Sequence, residues 1–250
     1  MSEPSPFSPG SRTFLEIAGL SKSFGSVRAA DSILLAVRAG DAVGIIGPNG
    51  AGKSSLFNLI TGDLRPDAGE IRLNGIDITR KSPHERCRAG IARSYQIPQP
   101  FENLTVFENV LVGAVYGQGK REQEVVDSCA EILDRTNLLR RADALAGSLT
   151  LLERKRLELA RALATDPNLL LLDEIAGGLT EAECQELVET IRSINANGTT
   201  IIWIEHVVHA LLAVVRRLVV LNFGRKIAEG EPQAVMRSQE VREIYTGIET

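Results

Sequence analysis

Apolar residues along the chain follow two rhythms. Short apolar runs at Phe14–Leu20, Ile33–Val37, Ala42–Ile46, Ile71–Leu73, Ile91–Tyr95, Leu169–Leu172, Thr199–Ile204 and Leu218–Leu221 have the length of strands, and Asn74-Gly75 marks a turn. Between them the period lengthens. Leu56, Leu59 and Ile60 fall on one side of a helix predicted over Lys53–Thr61. From Val106 to Ala164 the pattern is helical, with Val125, Ile132 and Leu133 on one packed face and Leu157, Ala160, Leu163 and Ala164 on another. A further helix is predicted over Glu181–Asn195. Continuous apolar strands separated by helices imply a mostly parallel sheet covered on both faces, an α/β fold. The helical stretch, about residues 97–165, reads as a lobe inserted into one domain spanning 12–250. Met1–Ser11, rich in Ser and Pro, reads as a disordered tail.

Composition narrows the function. The chain has 250 residues, 44% hydrophobic and 24% charged, which suits one large globular domain. Its net charge of −4 argues against nucleic acid as a partner. No apolar run reaches the roughly 18 residues of a membrane helix, and the N-terminus lacks the basic and apolar segments of a secretion signal. Cys87, Cys129 and Cys184 form no CxxC pair, which suits a reduced, cytoplasmic setting.

The chemistry begins at Gly47-Pro48-Asn49-Gly50-Ala51-Gly52-Lys53-Ser54, which fits GxxxxGK[ST] at every defined position. Glycines let backbone N–H groups crowd around phosphate oxygens, and the helix that follows turns its positive end toward them. Lys53 is placed to reach the outer phosphates, and the Ser54 hydroxyl to hold Mg²⁺. An apolar strand before and a helix after favour this reading over a plain glycine turn. The strand Leu169–Leu172 runs into Asp173-Glu174, so both acids fall at its C-terminal edge, where open α/β sheets bind ligands. Asp173 suits holding the metal and Glu174 suits polarising the attacking water. Asp173 lies 120 positions after Lys53, a gap long enough for an inserted lobe.

In this order the motifs resemble the ATPase subunits of ABC transporters, from about Phe14 to Glu249. The resemblance implies a P-loop NTPase core with an N-terminal antiparallel β-subdomain and an inserted α-helical lobe. It makes Phe24 the aromatic that stacks on adenine. Gln96 becomes the Q-loop residue that senses metal and water, and His206 the switch histidine at the γ-phosphate. Leu157-Glu158-Leu159-Ala160-Arg161-Ala162-Leu163 matches the helix behind the family signature. The implied ATP-binding set is Phe24, Gly47, Pro48, Asn49, Gly50, Ala51, Gly52, Lys53, Ser54, Ser55 and Thr150. The implied metal set is Ser54, Gln96 and Asp173, and Glu174, Gln96 and His206 are the implied catalytic group. Glu205, His206 and His209 crowd one turn without the further ligands a metal centre needs. The segments Ile91–Val110 and Asn222–Pro232, with Val241–Gly247, look like the ATP-binding subunits of branched-chain amino acid importers. That likeness implies transmembrane permease subunits, a second ATPase subunit as a heterodimer or a homodimer, and indirectly a secreted solute-binding protein. It also implies a peripheral place on the inner face of the cell membrane. The segment Gln96–Val110, with Pro98, Pro100, Phe101 and Phe107, is the expected docking surface for a permease helix.

The sequence departs from the family at the signature LSGGQ, which reads Leu149-Thr150-Leu151-Leu152-Glu153. Thr150 keeps a hydroxyl, whereas Leu151 and Leu152 replace the two glycines. Ile175 stands where the family has proline, and Thr180 where it has the D-loop aspartate. These changes suggest an asymmetric motor in which a different subunit supplies the intact signature. Two other classes share the P-loop. A soluble ABC ATPase acting on DNA or ribosomes would carry two cassettes or a long coiled coil, and neither is present. A P-loop small-molecule kinase would lack the Gln96, His206 and 157–163 matches.

Overall fold

The structure, a computed structural model, describes residues 13–246. The expected tail Met1–Ser11 lies outside them, as does Gly247 at the end of the C-terminal likeness. Two sheets form the frame. The first is antiparallel, in the order β2-β1-β4-β5, from β1 (Thr13–Phe24), β2 (Val27–Arg38), β4 (Ala68–Leu73) and the short β5 (Ile76–Asp77). The second runs β10-β9-β3-β8-β7-β6, from β3 (Ala42–Ile46), β6 (Ile91–Ser94), β7 (Leu169–Asp173), β8 (Thr200–Ile204), β9 (Arg217–Asn222) and β10 (Arg225–Gly230). Its strands are parallel except for β10, which pairs antiparallel with β9.

The apolar runs explain this placement. Every residue of β3, β7 and β8 is buried, because layers cover both faces of the sheet. Alternate side chains serve the two layers. Val43, Ile45, Leu169, Leu171, Ile202 and Ile204 point into a core shared with the antiparallel sheet and α1 (Lys53–Thr61). Leu170, Leu172, Ile201 and Trp203 point into a core shared with the helices. On that second side lie α3 (Val106–Gln118), α4 (Glu122–Arg135), α5 (Leu151–Leu163) and α6 (Glu181–Ala196). The remaining helices are α2 (Pro83–Arg88), α7 (Val208–Leu212), α8 (Pro232–Arg237) and α9 (Gln239–Thr246).

Helix starts follow one local device. Ser82, Thr105, Thr150 and Thr180 each cap α2, α3, α5 and α6, and a glutamate three residues on returns the hydrogen bond. The helical stretch read over Val106–Ala164 is thus broken into three helices, because Gly119 ends α3 in a left-handed turn and Thr150 begins α5. The strand read to Tyr95 stops at Ser94, where Tyr95 turns out to solvent. β1 and β2 run longer than their apolar stretches, since their outer ends pair with each other over polar residues.

Candidate active site

The C-terminal ends of β3, β6, β7 and β8 meet on one edge of the parallel sheet, and each delivers one part of the site.

After β3 comes the glycine loop. A Cβ at Gly47 would sit 2.2 Å from the Leu221 carbonyl oxygen, and one at Gly52, whose φ is 98°, would sit 2.2 Å from the Ala29 carbonyl oxygen. Neither position admits a side chain, so the loop is pressed against β9 and β2. Lys53 is buried and donates to the Gly47 and Pro48 carbonyls at 2.7 and 3.0 Å. Burial pulls its pKa down, while the carboxylates of Glu174 and Asp173 pull it up.

After β7, Asp173 is 5% exposed and pairs through Oδ2 with Arg93 of β6 at 2.6 Å. Glu174 adopts φ 48°, a left-handed conformation unusual for a non-glycine residue, and its N–H donates to the Ile204 carbonyl at 2.8 Å. Its carboxylate is clasped from two sides. Gln96 Nε2 donates to Oε2 at 2.5 Å, and His206 Nε2 lies 2.8 Å from Oε1. Two residues far apart in sequence, Gln96 and His206, thus converge on the carboxylate of a third, Glu174. Ser54, Gln96 and Asp173 line one cavity of about 450 Å³. A serine hydroxyl, an amide oxygen and a carboxylate in a common cavity form the hard-oxygen donor set that Mg²⁺ takes beside phosphates.

Phe24 ends β1 at the hairpin to Val27, half exposed, with the Lys22 ammonium 5.6 Å from its ring centre. Thr150 stands apart from the acids at the start of α5, where its hydroxyl accepts from the Glu153 N–H at 3.3 Å. Leu152 is 8% exposed and packs in the helical core, whereas Leu151 is 45% exposed, with its Cδ2 3.3 Å from where a Cβ on Gly178 would stand. Ile175 is buried, and Thr180 caps α6.

Sequence reasoning gives no role at this edge to three of its residues, one of which, Glu205, it weighs only as a metal ligand. Glu205 is 1% exposed; its Oε2 accepts from Ala176 N–H at 2.9 Å, and its Oε1 from His206 and Val207 N–H at 2.9 and 3.2 Å. It fixes the loops after β7 and β8 against each other. Lys155 of α5 is buried beside Glu205 and Glu174; burial lowers its pKa and the two acids oppose the shift. Arg93 is the third.

Residues 30–177 match the family described as ABC transporter. The chain belongs to the ABC transporter family. This ABC ATPase hydrolyses ATP, the reaction by which the family powers transport. It is 35% identical to the probable branched-chain amino acid transport ATP-binding protein LivG of Methanocaldococcus jannaschii, over 93% of this chain and 97% of that protein. It is 34% identical to the high-affinity branched-chain amino acid transport ATP-binding protein BraF of Pseudomonas aeruginosa, over 95% and 99%. Among solved structures, the ADP conformation of MJ1267, an ATP-binding cassette of an ABC transporter, superposes with a TM-score of 0.86 at 34% identity, covering 94% of this chain and 99% of that one. The cbiO1 protein of Clostridium perfringens, part of the ABC transporter complex cbiONQ, gives 0.82 at 27% identity, covering 94% and 95%. Among the described residues of this ABC ATPase, no helix is long and apolar enough to cross a membrane.

Proposed function

We propose that this ABC ATPase drives uptake of branched-chain amino acids, or of a related amino acid or amide, from the inner face of the cell membrane. The observation that carries the site assignment is the clasp of Glu174 between Gln96 and His206 on the same sheet edge as the P-loop lysine. The names of the LivG and BraF relatives support the cargo.

ATP takes the glycine loop from Gly47 to Ser55, with adenine against Phe24. Lys53 exchanges its contacts to the Gly47 and Pro48 carbonyls for outer phosphate oxygens. Ser54, Asp173 and Gln96 would hold Mg²⁺, which would neutralise charge on those oxygens. Glu174 accepts a hydrogen bond from the attacking water and orients it, and Gln96 and His206, now bound to that carboxylate, read the γ-phosphate. Thr150 keeps its hydroxyl hydrogen free to donate, because it acts as an acceptor toward Glu153.

A groove on the outer side of β6 is lined by Pro83, His84, Tyr95, Phe101 and Tyr116, the last three well exposed. It is the seat we assign to a permease helix; it takes Phe101 from the docking segment Gln96–Val110 and its other walls from the residues flanking that segment. The leucines at the signature favour a heterodimer, with the intact signature on a second ATPase subunit. The permeases and, through them, a secreted binding protein complete the assembly.

The test is ATP-dependent leucine uptake by vesicles that contain the permeases, both ATPase subunits and the binding protein. Glu174→Gln should stop uptake and lower hydrolysis about 10²-fold or more, with ATP still bound. Changing the partner's equivalent glutamate should have a smaller effect, and equal losses would reject the asymmetric pair. Intact hydrolysis that leucine and its analogues never stimulate would reject the cargo.

A further inference from the structure

Arg93 is not part of the P-loop, the acid pair or the γ-phosphate sensors, yet it is bonded directly to one of the acids. Its guanidinium is buried on β6 and its fork is divided. Nη2 holds Asp173 Oδ2 at 2.6 Å, and Nη1 holds Asn58 Oδ1 of α1 at 2.5 Å. The ring centres of Phe57 and Tyr95 lie 5.5 and 5.1 Å from its central carbon, so aromatic faces fix the plane as well. The third nitrogen, Nε, is buried and without a partner among the described residues. Leaving a buried donor unsatisfied is costly, so the orientation is not the one that maximises the arginine's own hydrogen bonds. It is the one that joins α1, the helix behind the P-loop, to the carboxylate at the end of β7.

An aspartate this buried needs a fixed partner, or it turns toward whatever cation is nearest. The alternative here is Lys53, already coupled to Asp173 electrostatically and required for phosphates. By taking Oδ2, Arg93 keeps the carboxylate away from the lysine and leaves Oδ1 for a ligand in the cavity that both residues line. We infer that Arg93 is a positioning residue that presents Asp173 to the metal of the metal–nucleotide complex, and so sets how much Mg²⁺ the protein needs. The inference rests on the proposed metal role of Asp173. It assigns a task to a residue outside the motifs.

The experiment measures binding of a fluorescent N-methylanthraniloyl ATP to the purified chain, first without metal and then along a Mg²⁺ titration, together with Tm. Hydrolysis is not read. In Arg93→Met the half-saturating Mg²⁺ should rise about tenfold, the usual scale for losing a partner that orients a metal ligand, while metal-free affinity stays the same. Arg93→Lys restores charge without the fork, so its requirement falls between Met and the parent although its Tm approaches the parent's. Asn58→Ala keeps both charges and removes only the anchor; it should shift the requirement in the same direction by less, and it serves if the Met variant fails to fold. A Mg²⁺ requirement equal to the parent's in the variants that fold would overturn the inference and leave Arg93 a structural ion pair. A lower requirement would also overturn it, since the guanidinium would then compete with the metal. If the parent itself binds the nucleotide without any Mg²⁺ dependence, the proposed metal role of Asp173 fails instead.

Discussion

The edge of the parallel sheet and the start of α5 both face nucleotide in the proposed cycle, and they are built on opposite principles. At the sheet edge, backbone meets backbone so closely that Gly47 and Gly52 admit no side chain, and each acid has a named partner. At the start of α5 the glycines of the family signature have become leucines, one of them absorbed into the helical core. The phosphate-holding side is constrained by close approach and buried charge. The signature side kept only what a helix start requires, a hydroxyl cap and its glutamate. One half of the motor can thus relax while the other stays intact, provided a second subunit supplies what was lost.

The sharpest way to break this contrast is at the sheet edge. Lys53→Ala should abolish measurable ATP binding in a filter or fluorescence assay, because the cradle's phosphate-reaching ammonium is lost; ordinary binding would equate the two regions. Next comes Leu152→Gly, which restores a family glycine at a position now in the core. It should cost about 3 kcal/mol or more in a denaturant titration, from lost packing and helix propensity together. Leu151→Gly, half exposed at the first turn, should cost about 1 kcal/mol or less. Of the two it is the one expected to speed hydrolysis of the partner's ATP. Thr150→Ala removes the cap and should lower stability by about 1 kcal/mol.

The smallest effect concerns Glu158, on the same helix but turned toward the sheet-edge cavity. Burial pushes its carboxyl above the ordinary range, against the pull of Arg161 and the Tyr95 and Gln99 amides. The folded state therefore holds this proton more tightly than the unfolded state, and the associated stability is present at low pH and lost as pH rises through the raised value. Relative to the parent, Glu158→Gln should gain thermal stability as pH rises above the ordinary carboxylate range. An unchanged difference in Tm over that rise in pH would mean that the pull of Arg161 offsets the burial of Glu158.

Much of the sheet edge was legible because its requirements are local. The helix Lys53–Thr61 was read to the residue, since a glycine lies on each side and its apolar spacing is unbroken. The strand Leu169–Leu172 needed only its composition. Glu174 is read from the acid pair at the end of an apolar strand, Gln96 and His206 only from the family resemblance, and the structure brings the three side chains together. Arg93, Lys155 and Glu205 were not legible as site residues. Arg93 lies inside a short strand, Glu205 just past the end of one and Lys155 in a charged run of α5; each has its partner in another element, and no period in the sequence announces such a pairing. The helix α2 was missed although Ser82-Pro83 with Glu85 is a capping box, because six residues are too few to show a helical period. The signature leucines read only as a loss. Their gain, a buried Leu152, depends on a core assembled from distant helices.

The packing of Gly47 against the Leu221 carbonyl has a bearing on how the protein is made. The glycine loop leaves the ribosome long before β9, and before Gly224, whose N–H donates to the Ala51 carbonyl at 3.0 Å. Until those late residues arrive, one wall of the cradle is missing and β3 lacks both of its neighbours, β8 and β9. Nucleotide therefore has no finished seat on a nascent chain, and a ribosome-bound intermediate is spared futile turnover while it waits for its partners.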